Sequence, residues 1–96
     1  MSSTSDVPPP PGPDEETLCR VCGLDDGSLR WEGGWPTHDI CDCCGHETDI
    51  SDVSVEHLRH WRGYWAGQGA RWSSPGRRPA GWNIFEQLAA IPEEWR

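Results

Sequence analysis

The chain is 96 residues long, room for one small domain, with 34% hydrophobic residues and a formal net charge of −8. A basic-then-apolar leader and any apolar run of membrane-spanning length are both missing from the sequence, so a cytoplasmic protein with no membrane partner is expected. The negative charge opposes simple electrostatic binding to nucleic acid.

The first seventeen residues hold Pro8-Pro9-Pro10-Pro11, Pro13 and Asp14-Glu15-Glu16, and beyond Met1 they offer only Val7 as an aliphatic side chain. So little apolar surface does not offset the entropy of ordering the backbone. Residues 1–17 are therefore read as a disordered, Pro-rich acidic tail, and residues 18–96 as the folded domain. Removing Met1 to Asp14 is expected to leave melting temperature and metal content nearly unchanged.

At this size a hydrophobic core alone leaves little net stability, and a staple is expected. Two segments supply one: Cys19-Arg20-Val21-Cys22-Gly23 and Cys41-Asp42-Cys43-Cys44-Gly45, separated by eighteen residues. Each is C-x-x-C-G, at a spacing that fits a zinc site. Tetrahedral zinc with bonds near 2.3 Å needs sulfurs about 3.8 Å apart, which a tight turn with two intervening residues delivers. Glycine after the second cysteine lets the chain leave the turn at positive φ. Cys19, Cys22, Cys41 and Cys44 together close a four-thiolate shell around one structural Zn²⁺, with no position left for substrate. Iron in a rubredoxin-like site would use the same two turns. A disulfide framework is disfavoured by a reducing compartment and by the odd count of five cysteines. Cys43 is the spare, read as a small buried side chain beside the turn, with an activated thiol as the rival. His38 and His46 flank the second turn and read as turn or supporting residues, because four thiolates already complete the shell.

Between the cysteine pairs, Ser28 to Glu32 reads as a strand, Gly33-Gly34-Trp35-Pro36 as a break, and Thr37 to Ile40 as the returning strand. The result is a zinc-ribbon-like hairpin carrying two knuckles, with Leu29, Trp31 and Ile40 facing inward. After an acidic link, Glu47 to Asp52, Ser54 caps a helix in which Val55, Leu58, Trp61 or Arg62, and Trp65 recur at helical spacing, and Gly67 and Gly69 end it. Pro75-Gly76 and Pro79 mark a loop. Asn83, with Glu86 three residues on, caps a second short helix through Ile84, Phe85, Leu88 and Ile91, stopped by Pro92. The fold class is thus a small α+β metal-stapled domain with two short helices. Of the seven tryptophans, Trp61, Trp65, Trp72 and Trp82 are assigned to the core.

The run Thr37-His38-Asp39-Ile40-Cys41-Asp42-Cys43-Cys44-Gly45 and the acidic stretch after it resemble the small bacterial cysteine-rich proteins marked by Cys-Pro-Cys-Cys. Members continue with a helix, Gly-Ala-x-Trp, Pro-x-x-Trp-Asn and Gln-Leu. Here these are Gly69-Ala70-Arg71-Trp72, Pro79-Ala80-Gly81-Trp82-Asn83 and Gln87-Leu88. Asp42 stands where proline is usual. The likeness spans Cys19 to Ile91 and implies the metal-stapled fold. The suspected role of some members implies an immunity protein of a bacterial toxin system.

Three functions follow from the residues. The first is a zinc-stabilised protein-interaction module, an immunity protein or antitoxin that steers electrostatically onto a basic toxin. The second is a nucleic-acid-binding zinc ribbon using residues 57–85, which hold no acid and carry Arg59, Arg62, Arg71, Arg77 and Arg78 among aromatic residues. Against it, those arginines are expected to pair with Asp25, Asp26, Glu47, Asp49 and Asp52, leaving nucleic acid a disfavoured partner. The third, an enzyme, is not expected, because the sequence carries no Ser-His-Asp set, open metal site or phosphate loop.

Overall fold

The computed structural model describes residues 8–96; the part of the expected tail that precedes Pro8 lies outside them. The chain forms a small α+β unit: a three-stranded antiparallel sheet in the order β1 (Glu15–Glu16), β2 (Trp31–Glu32), β3 (Trp35–Pro36), then helices α1 (Val55–Gly67) and α2 (Ile84–Ala89). Single 3₁₀ turns at Ile50–Val53, Pro75–Arg77 and Glu93–Trp95 join and close these elements.

The hairpin is tighter than its composition suggests. Gly33 and Gly34 make a two-residue turn, and the pairs Trp31 with Pro36 and Glu32 with Trp35 set the register. The return strand therefore begins at Trp35, inside the stretch expected to break the hairpin, and Thr37 to Ile40 forms no strand of the sheet. Trp31 is 1% exposed and Leu29 half-buried, whereas Ile40 is 57% exposed. That inward assignment fails because Ile40 pairs only with Glu47, in an isolated bridge beside the second knuckle.

The domain boundary also moves. Glu15 and Glu16 pair with Glu32 and Trp31, and the segment before them lies along the hairpin turn. Gly12 N–H donates to the Gly34 carbonyl (3.0 Å), Gly33 N–H to that of Asp14 (2.6 Å) and Gly34 N–H to that of Pro13 (3.0 Å). A Cβ on Gly12 would stand 2.1 Å from the Trp31 ring, so this segment covers the indole. Composition understates its order because backbone hydrogen bonds and one tryptophan face hold it. Deleting Met1 to Asp14 is now expected to cost roughly 2–4 kcal/mol, from the three backbone bonds and the uncovered indole. Deleting Met1 to Val7 should remove none of these contacts. Urea midpoints of the two truncations test this, and equal midpoints would return Pro8–Asp14 to the tail.

Both helices start where local chemistry puts them. The Ser54 hydroxyl accepts from His57 N–H (3.3 Å). The Asn83 side chain accepts from the N–H groups of Phe85 (2.9 Å) and Glu86 (3.2 Å). Helix α1 buries Leu58 and Trp65, and between them Arg62 rather than Trp61 turns inward. The reason is the polarity of what it meets: Arg62 donates to the carbonyls of Val21 (2.6 Å), Arg20 (2.8 Å) and Trp95 (2.8 Å). An indole has one N–H and cannot serve three acceptors. Trp61 is left 40% exposed, so it does not belong to the core. Trp65 and Trp72 are buried, and the half-buried Trp82 packs edge-on against both.

Candidate metal centre

The core of this molecule is built around sulfur. Cys19, Cys22, Cys41 and Cys43 pack with Val21, Leu58, Trp65 and Trp72 in one buried cluster. The two C-x-x-C-G segments adopt the same local structure. Gly23 N–H donates to the Cys19 carbonyl (2.8 Å) and Gly45 N–H to that of Cys41 (2.9 Å). Cys19 N–H reaches the Leu24 carbonyl (2.8 Å) and Cys41 N–H that of His46 (3.0 Å). A bridge closes each turn from outside, Leu18 with Asp25 and Ile40 with Glu47. Both glycines are at positive φ, 87° and 76°, as a chain leaving such a turn requires.

Facing each other, the two knuckles bring the sulfurs of Cys19, Cys22, Cys41 and Cys44 within 4.8 Å of one another. Cys19 and Cys44 are 3.7 Å apart, Cys22 and Cys41 3.6 Å, close to the edge of a tetrahedron around a thiolate-bound metal. These four cysteines can hold a metal ion, and the sequence singled out the same four. Three are buried and Cys44 is partly exposed.

The electrostatics fit that ion. Contacts with Cys19, Cys22 and Cys44 hold the Cys41 thiol far below the usual thiol range. Contacts with Cys19, Cys22 and Cys41 push Cys44 well above it, and those with Cys22 and Cys41 raise Cys19. Four crowded sulfurs cannot all ionise unaided, and a divalent cation resolves the conflict. Arg30 adds a second sign. Burial works against its charge, but the Cys19 and Cys41 sulfurs outweigh burial and hold it firmly protonated. One arm donates to the Thr17 carbonyl and to Asp26 (3.1 Å). Its Nε and Nη2 are buried without a hydrogen-bond partner among the described residues. A buried cation with spare donors beside the cysteines suits a metal–thiolate cluster of net negative charge.

Gln87 is the other supporting residue. Its Nε2 donates to the Cys22 carbonyl (3.1 Å) and the Cys43 sulfur (3.3 Å), while its Oε1 accepts from Trp82 Nε1–H (2.8 Å). One side chain on α2 thus ties both knuckles to the tryptophan cluster. Cys43 is fully buried against it and stands outside the four-sulfur group. Serine at Cys43 should keep the bound metal and lose only about 1–2 kcal/mol, because the Gln87 contact survives on a shorter side chain. Metal content and a thermal melt check this; loss of metal would bring Cys43 into the ligand set.

His38 lies 3.3 Å from Glu47 at the surface. His46 turns away from the sulfurs to Asp52, at 2.8 Å. Neither joins the four-sulfur group. The expected pairing of arginines with the acidic link also does not form. Arg59 donates to the Arg96 carbonyl (2.7 Å), Arg62 to the carbonyls named above, and Arg78 lies over the Trp82 ring (5.3 Å). Among the described residues the loop arginines contribute one ion pair, Arg77 with Asp42 at 3.9 Å. Asp52 is claimed instead by two imidazoles, and Asp26 by the buried Arg30.

No family pattern, characterised protein or solved structure matches this chain. No helix among the described residues is long and apolar enough to cross a membrane.

Proposed function

We propose that this chain is a cytoplasmic, zinc-stapled protein-interaction module whose partner is a basic protein. The observation that carries the reading is a groove of about 200 Å³ between α1 and the second knuckle, lined by Val21, Cys44, Trp61, Tyr64, Trp65 and Arg71. Trp61 is 40% and Tyr64 60% exposed; Trp, Tyr and Arg around an apolar floor are the residue types that anchor protein interfaces. Glu47 and Asp49 line the adjoining hollow, and with the net charge of −8 they favour a basic partner. Zinc is the ion assigned to the cysteines, since four thiolates in tetrahedral array suit it and leave no position for substrate. Within this reading, the Cys-Pro-Cys-Cys resemblance supports an immunity protein or antitoxin. Co-expression with the products of the genes flanking its own tests the proposal. A complex that survives gel filtration and is lost in Trp61→Ala or Tyr64→Ala supports it. A complex indifferent to both substitutions removes the groove from the interface.

The nucleic-acid reading keeps one observation in its favour: Arg71 and Arg78 line an open hollow with Trp72 and Pro75. Trp72, however, is 7% exposed and Trp82 packs against it, so the Trp72 ring is not free to stack on a base. Phosphate contacts alone weaken steeply with salt on a chain of this net charge. Anisotropy titration with short DNA and RNA at physiological salt should show no binding. Micromolar affinity lost in Arg71→Ala, Arg77→Ala and Arg78→Ala would put the nucleic-acid reading first.

A further inference from the structure

We infer that His46, Asp52 and His57 form a second metal site, separate from the four cysteines, that takes a first-row divalent cation of the Zn²⁺ type. Their ligand atoms all lie within 4.8 Å of one another. His46 Nε2 is 2.8 Å and His57 Nε2 3.6 Å from the same carboxylate oxygen, Oδ1 of Asp52. Donors about 2.0–2.2 Å from zinc stand about 3.3–3.6 Å apart in a tetrahedral shell. The His57 pair already has that spacing. The His46 pair opens by about half an ångström when a metal replaces the proton it shares with Asp52.

A hydrogen bond from His46 to Asp52 explains one imidazole and not the other. His57 Nε2 is buried and has no hydrogen-bond partner among the described residues, which is how a ligand lone pair awaiting a cation is placed. The Asp52 side chain is 4% and that of His46 8% exposed, a costly position for a carboxylate unless a cation partly neutralises it. Its other oxygen, Oδ2, accepts from Asp49 N–H (3.4 Å), and the Arg20 guanidinium donates to the Asp52 carbonyl (2.9 Å). Arg20 does not repel a cation strongly, because Glu16 pairs with it at 2.7 Å. The three residues come from different elements: the second knuckle, the 3₁₀ turn and the first turn of α1. A cation held between them would pin α1 to the knuckle. Two imidazoles and one carboxylate leave further coordination positions, and these face a hollow of about 330 Å³ bordered by Glu47, Asp49 and Trp61. Water, or an anionic group offered by a partner, can take them.

The test is titration of the full-length chain, its cysteines already metal-loaded, with Zn²⁺ and separately with Co²⁺. A second, weaker equivalent is expected, and its cobalt spectrum should lack the sulfur-to-metal charge-transfer bands of the first. His57→Ala alters a side chain 30% exposed and should fold normally. It should weaken the second equivalent by more than about tenfold while leaving the first intact; Asp52→Asn should do the same. A total that stays at the one equivalent held by the cysteines, or a second equivalent that His57→Ala does not weaken, overturns the site. Loss of the sulfur charge-transfer bands with the second equivalent retained would count against the four-cysteine assignment alone.

Discussion

Serine in place of Cys19, Cys22, Cys41 or Cys44 is expected to unfold the domain and abolish stoichiometric metal binding. Small domains are stable by only about 5–15 kcal/mol, whereas apparent zinc binding to such cysteine sets contributes about 10–16 kcal/mol, which becomes folding energy. Few other buried residues are available to compensate: apart from cysteine, the apolar core among the described residues is Val21, Trp31, Leu58, Trp65, Trp72 and Ile91. Removing one thiolate also leaves the buried Arg30 guanidinium beside a cluster of altered charge, a situation that costs more than a missing contact. A strong chelator should act like the substitutions. Acid should too, since the thiolates must stay deprotonated to hold the metal. Elemental analysis and far-ultraviolet circular dichroism read both effects. A metal-free chain that kept its helices and a cooperative melt would show that the apolar core suffices alone.

The features that could be read in the sequence are those fixed by chemistry between near neighbours. The C-x-x-C-G turns, the Ser54 and Asn83 caps and the extent of α1 each depend on a few consecutive residues, whereas α2 ends at Ala89, short of the expected Ile91. What escaped the reading depends on residues brought together from far apart. Gln87 reaches Cys22 across 65 positions and Arg62 reaches Val21 across 41, and no local pattern marks either side chain as a clamp. The tryptophans make the same point. Trp31 is buried because Gly12 folds over it, while Trp35, four residues on, is 51% exposed. Charge patterning misled for a related reason: opposite charges near in sequence invite pairing, but Arg59 and Arg62 were needed more by uncapped carbonyls than by Asp49 or Asp52. His46, Asp52 and His57 went unread as a group because each has an ordinary local role, in a knuckle, a 3₁₀ turn and a helix start.

The two knuckle glycines should respond very differently to the same substitution, although their positions in the motif are identical. Alanine at Gly45 meets only the Ser73 side chain at 3.4 Å, an ordinary contact, so its cost is the strain of a positive φ, about 1–2 kcal/mol. Alanine at Gly23 carries that same strain and places its Cβ 2.2 Å from the Gln87 carbonyl oxygen. That oxygen is backbone within α2 and cannot rotate away; relief requires the helix to retreat from the first knuckle. Retreat would break the Gln87 contacts to Cys22 and Cys43 and loosen Ile91, whose side chain lies 3.2 Å from the same Cβ position. Overpacking costs about 1–3 kcal/mol and the two lost hydrogen bonds about 1–3 more. Gly23→Ala should therefore destabilise the metal-loaded protein by roughly 3–8 kcal/mol, at least twice the loss in Gly45→Ala. Urea unfolding of the two metal-saturated variants measures the difference. Equal losses would mean that α2 does not press on the first knuckle in solution, and that the Gln87 clamp contributes little to holding the cysteines together.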